Sequence, residues 1–285
     1  MVRNGLALDR QNPFFKEEMN LFIDSPANSR IKELVKLRES PRRRKDRGMF
    51  FVEGKSELQF LVKAGRVISE IYYSLPDIDE TREDDETLEF KNAGIQIIKV
   101  SPAAFAKASY RSSEHGWIGM VSTWDIELEK IHFPDAGPIV VLDEVEKPGN
   151  LGAILRSVEA FGGTGVILSE PAVDFFNPNV VRSSRGLIGS LPVAKGTKDE
   201  VLTWLKSSNR SIWATSSHTD LHLGESRIPA STALIFGSEK HGLGEFWKNQ
   251  DLQWIKIPMQ GTASSLNLNV SVACLLYELN RAQKT

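Results

Sequence analysis

The sequence predicts an α/β protein in two units: a small α/β domain, then a larger one built on a mainly parallel sheet. Three observations carry that prediction. Short β-branched or apolar runs alternate with helical stretches along most of the chain. In the second half those runs are apolar without polar alternation, the pattern of strands covered on both faces. Between the halves lies IELEKIHFPDAGP, residues 126–138, where two prolines and a glycine interrupt any regular element.

In order along the chain, residues 1–27 mix Arg, Asn, Pro and Phe without periodicity and form an N-terminal extension. The first domain, 28–125, reads as helix 30–38, strand 49–52, helix 56–64, strand 68–74, an acidic loop or helix, strand 95–100, helix 102–108 and strand 117–123. A linker follows at 126–137. In the second domain, 138–285, the strands are PIVVLDEV, GVILS, SIWATS, TALIFG and QWIKIP, with helices at 150–161, 198–208 and 265–282. Parallel sheets bind ligands at the carboxyl ends of their strands, so the residues just after each strand are the places to look for chemistry.

Composition narrows the class. With 285 residues, 41% apolar and 25% charged, the chain can bury a sizeable core in one large or two modest domains. Its net charge of -2 favours no partner, but its distribution does. Residues 30–66 carry twelve Lys/Arg against five Asp/Glu, densest at PRRRKDR, whereas residues 77–90 carry eight Asp/Glu against Arg82. A single cysteine, Cys274, excludes an intrachain disulfide and a cysteine-based metal cluster. No apolar run reaches the roughly 18 residues of a membrane helix, and no signal-peptide pattern opens the chain. A cytoplasmic enzyme or binding protein is therefore expected.

Three segments that follow strands stand out. In DEVEKPGNLGAILRSVEAFG, Pro148, Gly149 and Asn150 make a turn, and Asn150 is placed to cap a helix. Ile154, Leu155, Val158 and Phe161 recur there at apolar spacing, yet Arg156 sits among them with Gly152 and Ala160 a turn away on either side. That arrangement reads equally as room made for a working cation or as a snorkelling arginine. In LIFGSEKHGLGEFW, Gly237 and Gly242 allow close backbone approach around Glu239, although glycine pairs are common in βα turns. In IKIPMQGTASSLNLNVSVACLLYEL, Ser265 and Asn267 open a long helix, and two Ser and two Asn exceed what capping needs.

Together these segments resemble the SpoU (TrmH) family of RNA ribose 2'-O-methyltransferases, of the SPOUT class. N-x-G-x-x-x-R matches Asn150, Gly152 and Arg156; G-x-E-x-x-G matches Gly237, Glu239 and Gly242. I-P-M, S-L-N and Y-E match Ile257, Pro258, Met259, Ser265, Leu266, Asn267, Tyr277 and Glu278, and R-x-S-x-G matches Arg182, Ser184 and Gly186. The resemblance covers 138–282. Asn269 departs from it, standing where the family commonly has Ser. The first domain is more loosely similar to the ribosomal-protein-like substrate-binding domain that often precedes this one.

The resemblance implies a deep trefoil knot in the second domain, where elementary chain topology alone would predict an unknotted sheet. It implies S-adenosylmethionine as cofactor, held by Gly237, Ile257 and Leu266 with Met259, Thr215 and Ser216 beside them. It implies methyl transfer to a ribose 2'-hydroxyl with no metal. Arg156 is the expected catalytic residue, as a general base or as a cation that orients phosphate and stabilises alkoxide. Asn150, Glu239, Ser265 and Asn267 would support it. A basic loop of Arg42, Arg43, Arg44 and Lys45 would track RNA phosphates. The family is usually dimeric, which would bring Arg182 toward a partner subunit. The added domain favours large structured RNA, 23S rRNA over tRNA. The alternatives are a tRNA 2'-O-methyltransferase and a non-catalytic RNA-binding or ribosome-assembly protein of the same fold.

Two other patterns point elsewhere and are set aside. His218, Asp220 and His222 lie close together, but on a loop without a fourth ligand they read as surface polar residues. FGGTGVIL contains G-x-G but precedes a strand, so it fails as a dinucleotide fingerprint.

Overall fold

The computed structural model describes residues 21–76 and 80–283. Its first sheet contains β1 (Phe22–Ile23), β2 (Met49–Glu53), β3 (Ile68–Ser74), β4 (Gln96–Val100) and β5 (Gly116–Ser122), in the order β1-β4-β3-β5-β2. β4 runs parallel to β1 and β3, while β5 is antiparallel to β3 and β2. Around it stand α1 (Ser29–Glu39), α2 (Pro41–Arg47), α3 (Lys55–Lys63), α4 (Glu80–Asn92) and α5 (Pro102–Ala108). The Asn28 side chain caps α1 by accepting from the Arg30 N–H at 2.8 Å, and Ile31, Leu34 and Leu37 form its buried stripe.

Two expectations for this unit change, and one left open is decided. The extension is not wholly separate, because Phe22–Ile23 pairs with β4 as an edge strand; residues 1–20 lie outside the described residues. The acidic stretch is a helix, α4, in which Glu83 accepts from Lys99 at 2.6 Å and from the Tyr73 hydroxyl at 2.5 Å. The supposed basic loop is also a helix, α2, whose Ser40 side chain accepts from the Arg43 N–H and whose first residue is Pro41.

The second sheet contains β6 (Ile139–Asp143), β7 (Gly165–Ser169), β8 (Val193–Gly196), β9 (Ser211–Thr215), β10 (Thr232–Phe236) and β11 (Gln253–Ile255). Its order is β11-β9-β10-β6-β7-β8, and every pairing is parallel. One face is covered by α6 (Pro148–Ala160), α7 (Pro178–Ser183) and α10 (Leu268–Gln283), the other by α8 (Lys198–Ser207) and α9 (Glu245–Lys248). Along β6, Val140 and Leu142 face the first layer and Ile139 and Val141 the second, which explains the unbroken apolar run. β8, α7 and α9 are short elements absent from the sequence-based assignment.

Residues 126–131 pack onto this sheet instead of spanning freely. The Lys195 N–H donates to the Ile126 carbonyl at 2.6 Å, Lys195 pairs with Glu127 at 3.0 Å, and Leu128 is buried. The two units share a core. Phe50 of β2 meets Phe176 at 5.0 Å between centroids, and Trp124 meets the same ring at 4.9 Å. Gly186, at φ +80°, lies so close to α3 that a Cβ would fall 2.7 Å from the Glu57 carbonyl oxygen. The R-x-S-x-G stretch therefore serves the junction: Gly186 permits the contact, and buried Ser184 bonds its own helix through Val181.

Candidate functional site

A cleft of about 500 Å3 opens at the carboxyl ends of β9, β10 and β11. It brings together Thr215, Gly237, Ile257, Met259 and Leu266, all expected around a cofactor, together with Glu239 and Ser265. Its size falls within the usual range of ligand sites. Met259 and Leu266 flank it with apolar side chains left 38% and 37% exposed, which can cover the faces of a planar heterocycle. The backbone at Gly237 and Ile257 offers polar edges beside them. This combination of apolar cover and main-chain groups fits the adenosine part of S-adenosylmethionine. Another cleft, of about 580 Å3, lies at the amino end of β8 between Phe60, Arg66, His132 and Pro192 and contains no motif residue.

The two glycines of G-x-E-x-x-G shape the loop over this cleft. A Cβ on Gly237 would fall 2.0 Å from the Gly242 carbonyl carbon and 2.3 Å from the Leu243 nitrogen. Gly242, at φ +64°, turns the chain so that its N–H donates to the Ser238 carbonyl at 2.9 Å. The fold-back aims Glu239 across to α6, where the Asn150 side-chain amide donates to Glu239 Oε1. In turn Asn267 Nδ2 donates to Asn150 Oδ1 at 3.2 Å. One hydrogen-bonded chain, Asn267 to Asn150 to Glu239, thus joins segments that are 89 and 117 residues apart.

Asn150 does not cap α6 as expected. The helix begins at Pro148, two residues earlier, so Asn150 lies within its first turn and its side chain is free for Glu239. Likewise α10 begins at Leu268, which places Ser265 and Asn267 in the preceding loop. Asn267 Oδ1 accepts from the Asn269 N–H at 3.0 Å, as a capping side chain would. Asn269, the departure from the family pattern, accepts from the Ser157 hydroxyl at 2.8 Å. Asn150 and Ser157 are two turns apart on α6, so the segment opening α10 is tied to one face of that helix at two points.

Arg156 is not buried. It is exposed on α6, beside the tethered Ser157, and among the described residues it holds no hydrogen bond or ion pair. Nor does Gly152 make room for it. A Cβ there would lie 2.1 Å from Ser183 Oγ and 2.5 Å from the Val180 carbonyl oxygen, so Gly152 brings α6 against α7.

The basic cluster divides. Arg44 is 2% exposed and donates two hydrogen bonds to Asp174 Oδ2, at 2.8 and 2.6 Å, and one to the Leu37 carbonyl. It joins the two domains and is unavailable to RNA, which corrects its assignment. Arg43 grips Glu33 through two bonds of 2.8 and 2.6 Å, and this contact holds the Glu33 carboxyl below its ordinary range. Lys45 and Arg42 face solvent, Arg42 beside Asp46 at 3.6 Å. Arg182 is exposed on α7 and stands over the Tyr110 ring of its own first domain, at 5.7 Å. Among the described residues no cluster of three or more His, Cys, Asp or Glu suits a metal, and no helix is long and apolar enough to cross a membrane.

Residues 137–277 match the SpoU rRNA Methylase family, and residues 28–119 match the MRM3-like substrate binding domain. A solved RNA 2'-O ribose methyltransferase is 33% identical and superposes with a TM-score of 0.80 over 93% of this chain and 100% of its own. The 23S rRNA (guanosine(2553)-2'-O)-methyltransferase RlmP of Bacillus subtilis is 28% identical over 90% of this chain and 98% of its own length. The 23S rRNA (uridine(2479)-2'-O)-methyltransferase of Streptomyces viridochromogenes is 34% identical over 50% of this chain, and the match spans 52% of that protein. The SpoU methyltransferase AviRb from the same organism, solved in complex with the cofactor AdoMet, is 25% identical with a TM-score of 0.78 over 90% of this chain and 99% of its own.

Proposed function

The chain belongs to the SpoU (TrmH) family of RNA ribose 2'-O-methyltransferases, and from that premise we propose that it methylates a ribose 2'-hydroxyl of structured RNA, with 23S rRNA as substrate. The observation that carries this proposal is the hydrogen-bonded chain Asn267, Asn150, Glu239, which ties the three motif loops together beside the cleft. S-adenosylmethionine supplies a methyl group already activated on a sulfonium, so the chain's task is alignment and easing the loss of the hydroxyl proton. Thr215, Gly237, Ile257, Met259 and Leu266 hold the cofactor. Asn150, Glu239 and Asn267 fix the loops around it, and Ser265, exposed on the cleft wall, meets the RNA.

Arg156 presents an exposed guanidinium with no carboxylate upon it. A guanidinium keeps its proton under ordinary conditions, so the role that fits is a cation that takes an RNA phosphate and stabilises developing alkoxide. The general-base alternative predicts a different pH-rate profile for Arg156→Lys. RNA affinity comes from Arg42 and Lys45 on α2 and from Arg182 on α7. The carboxyl-terminal helix carries an outward apolar stripe of Val270 and Tyr277, 42% and 57% exposed, with Ala273 and Cys274 between them. That stripe supports a homodimer joined through α10, next to the segment where the family's trefoil knot is expected. An rRNA substrate supports a cytoplasmic location.

The test supplies tritium-labelled S-adenosylmethionine with protein-free 23S rRNA and, separately, with tRNA. Label should enter 23S rRNA in an alkali-resistant dinucleotide. Label confined to tRNA would move the substrate, and cofactor binding without labelling of either RNA would favour the non-catalytic alternative.

A further inference from the structure

Four tyrosines occur in the chain, and one of them, Tyr110, is held for display. Tyr72 and Tyr73 are buried and spend their hydroxyls on Glu70 and Glu83. Tyr110 is 41% exposed, and its hydroxyl makes no hydrogen bond among the described residues. Yet the loop that carries it is fixed at several points. The Arg38 guanidinium bonds the carbonyls of Ala108 and Ser109 at 2.9 and 2.5 Å. Both oxygens of Glu53 are engaged, one by the Tyr110 N–H at 2.5 Å and one by the Ser109 hydroxyl at 3.0 Å. Ser109 Oγ also accepts from the N–H groups of Arg111 and Ser113, each at 3.1 Å, around the left-handed Ser112. An exposed aromatic ring on a loop so tightly tied is preorganised for contact.

Its surroundings suit one kind of partner. The ring edges a crevice between the domains, with Phe51, Glu53 and Arg111 on one side and Pro178, Val181 and Arg182 on the other. Arg182 lies 5.7 Å from the ring, and Arg185 is exposed in the turn that follows α7. Both Glu53 oxygens are taken by the loop, and two arginines, Arg111 and Arg182, line the crevice beside the ring. The platform also adjoins the catalytic end of the molecule: Ser183, next to Arg182, stands 3.4 Å from the Pro148 carbonyl that opens the helix of Asn150 and Arg156. Aromatic rings beside guanidinium groups recognise unpaired bases by stacking, while the cations hold the flanking phosphates.

We infer that Tyr110 is a stacking platform for an unpaired base of the RNA substrate, with Arg111, Arg182 and Arg185 receiving the adjoining phosphates. This site rests on the RNA-substrate proposal above and sharpens it. The nucleotides engaged between the first domain and α6 are single-stranded.

The experiment measures binding of a short labelled oligoadenylate and of a blunt RNA duplex to the full chain by fluorescence anisotropy. Tyr110→Ala should weaken oligoadenylate binding about tenfold, leave duplex binding unchanged, and leave S-adenosylmethionine affinity by calorimetry at the wild-type value, which reports an intact fold. Tyr110→Phe should stay within about twofold, because the face stacks and the hydroxyl has no partner. Oligoadenylate affinity retained by Tyr110→Ala, equal loss on strand and duplex, or no oligoadenylate binding by the wild type would each overturn the site. A wild-type chain that binds oligoadenylate through Tyr110 but transfers no methyl group would instead count against the enzyme proposal alone.

Discussion

Gly152 is the residue where the family spacing and the packing physics meet. A methyl group there would crowd Ser183 Oγ at 2.1 Å, which could swing away, and the Val180 carbonyl oxygen at 2.5 Å and Ser184 nitrogen at 2.8 Å, which could not. Gly152→Ala should therefore destabilise the protein by about 1–3 kcal/mol through overpacking, read as a lowered urea midpoint at constant slope. A midpoint equal to wild type would show that α6 and α7 can part without cost. The spacing N-x-G-x-x-x-R was legible in the sequence, but the division of labour inside it was not. Asn150 looked like a cap because Pro148 and Gly149 precede it, and its true partner Glu239 is 89 positions away. Arg156 read equally as a working cation or a snorkelling arginine because its neighbours are apolar; it is exposed on α6.

At the scale of elements, α2 shows what composition conceals. Seven residues with no apolar member have no periodicity to betray a helix, yet Ser40 and Pro41 are sound start signals and Gly48, at φ +60°, ends it. Charge density suggested that its cations act together. The structure gives them separate duties, since Arg44 reaches Asp174 in the other domain, 130 residues away. Arg44→Met should cost about 3 kcal/mol, the penalty for stripping a buried pair of one member, without altering the salt dependence of RNA binding. Arg42→Ala combined with Lys45→Ala should fold as the wild type does, yet lower the slope of log affinity against log salt by about 1.5. Anisotropy titrations at several salt concentrations separate the two, and equal slopes for wild type and double variant would remove α2 from the RNA interface. The long elements were easier: the apolar runs of β6, β7 and β10 announced a doubly covered parallel sheet. β8 was missed because four residues containing Lys195 and Gly196 carry too little pattern.

For the molecule as a whole, two domains are fastened by Arg44, Gly186 and a shared aromatic core. The cofactor cleft, Arg156 and the Tyr110 crevice are thereby held in a fixed relation. Family motifs made the second domain's chemistry legible. The junction was not, because its contacts pair residues from opposite halves of the sequence. The uncovered stripe on α10 extends the argument to a dimer. Tyr277→Asp should shift the mass measured by light scattering from dimer to monomer, and a monomeric wild type would dismiss the interface. The central claim is that an exposed, unpaired Arg156, on the helix whose Asn150 is bonded to Glu239 of the cleft, drives methyl transfer to a ribose hydroxyl. Its most direct test is the single-turnover rate of methyl transfer to 23S rRNA with saturating S-adenosylmethionine, compared between wild type and Arg156→Ala. A fall of about 10²- to 10⁴-fold with cofactor affinity unchanged is predicted; a variant that transfers methyl at the wild-type rate would contradict it.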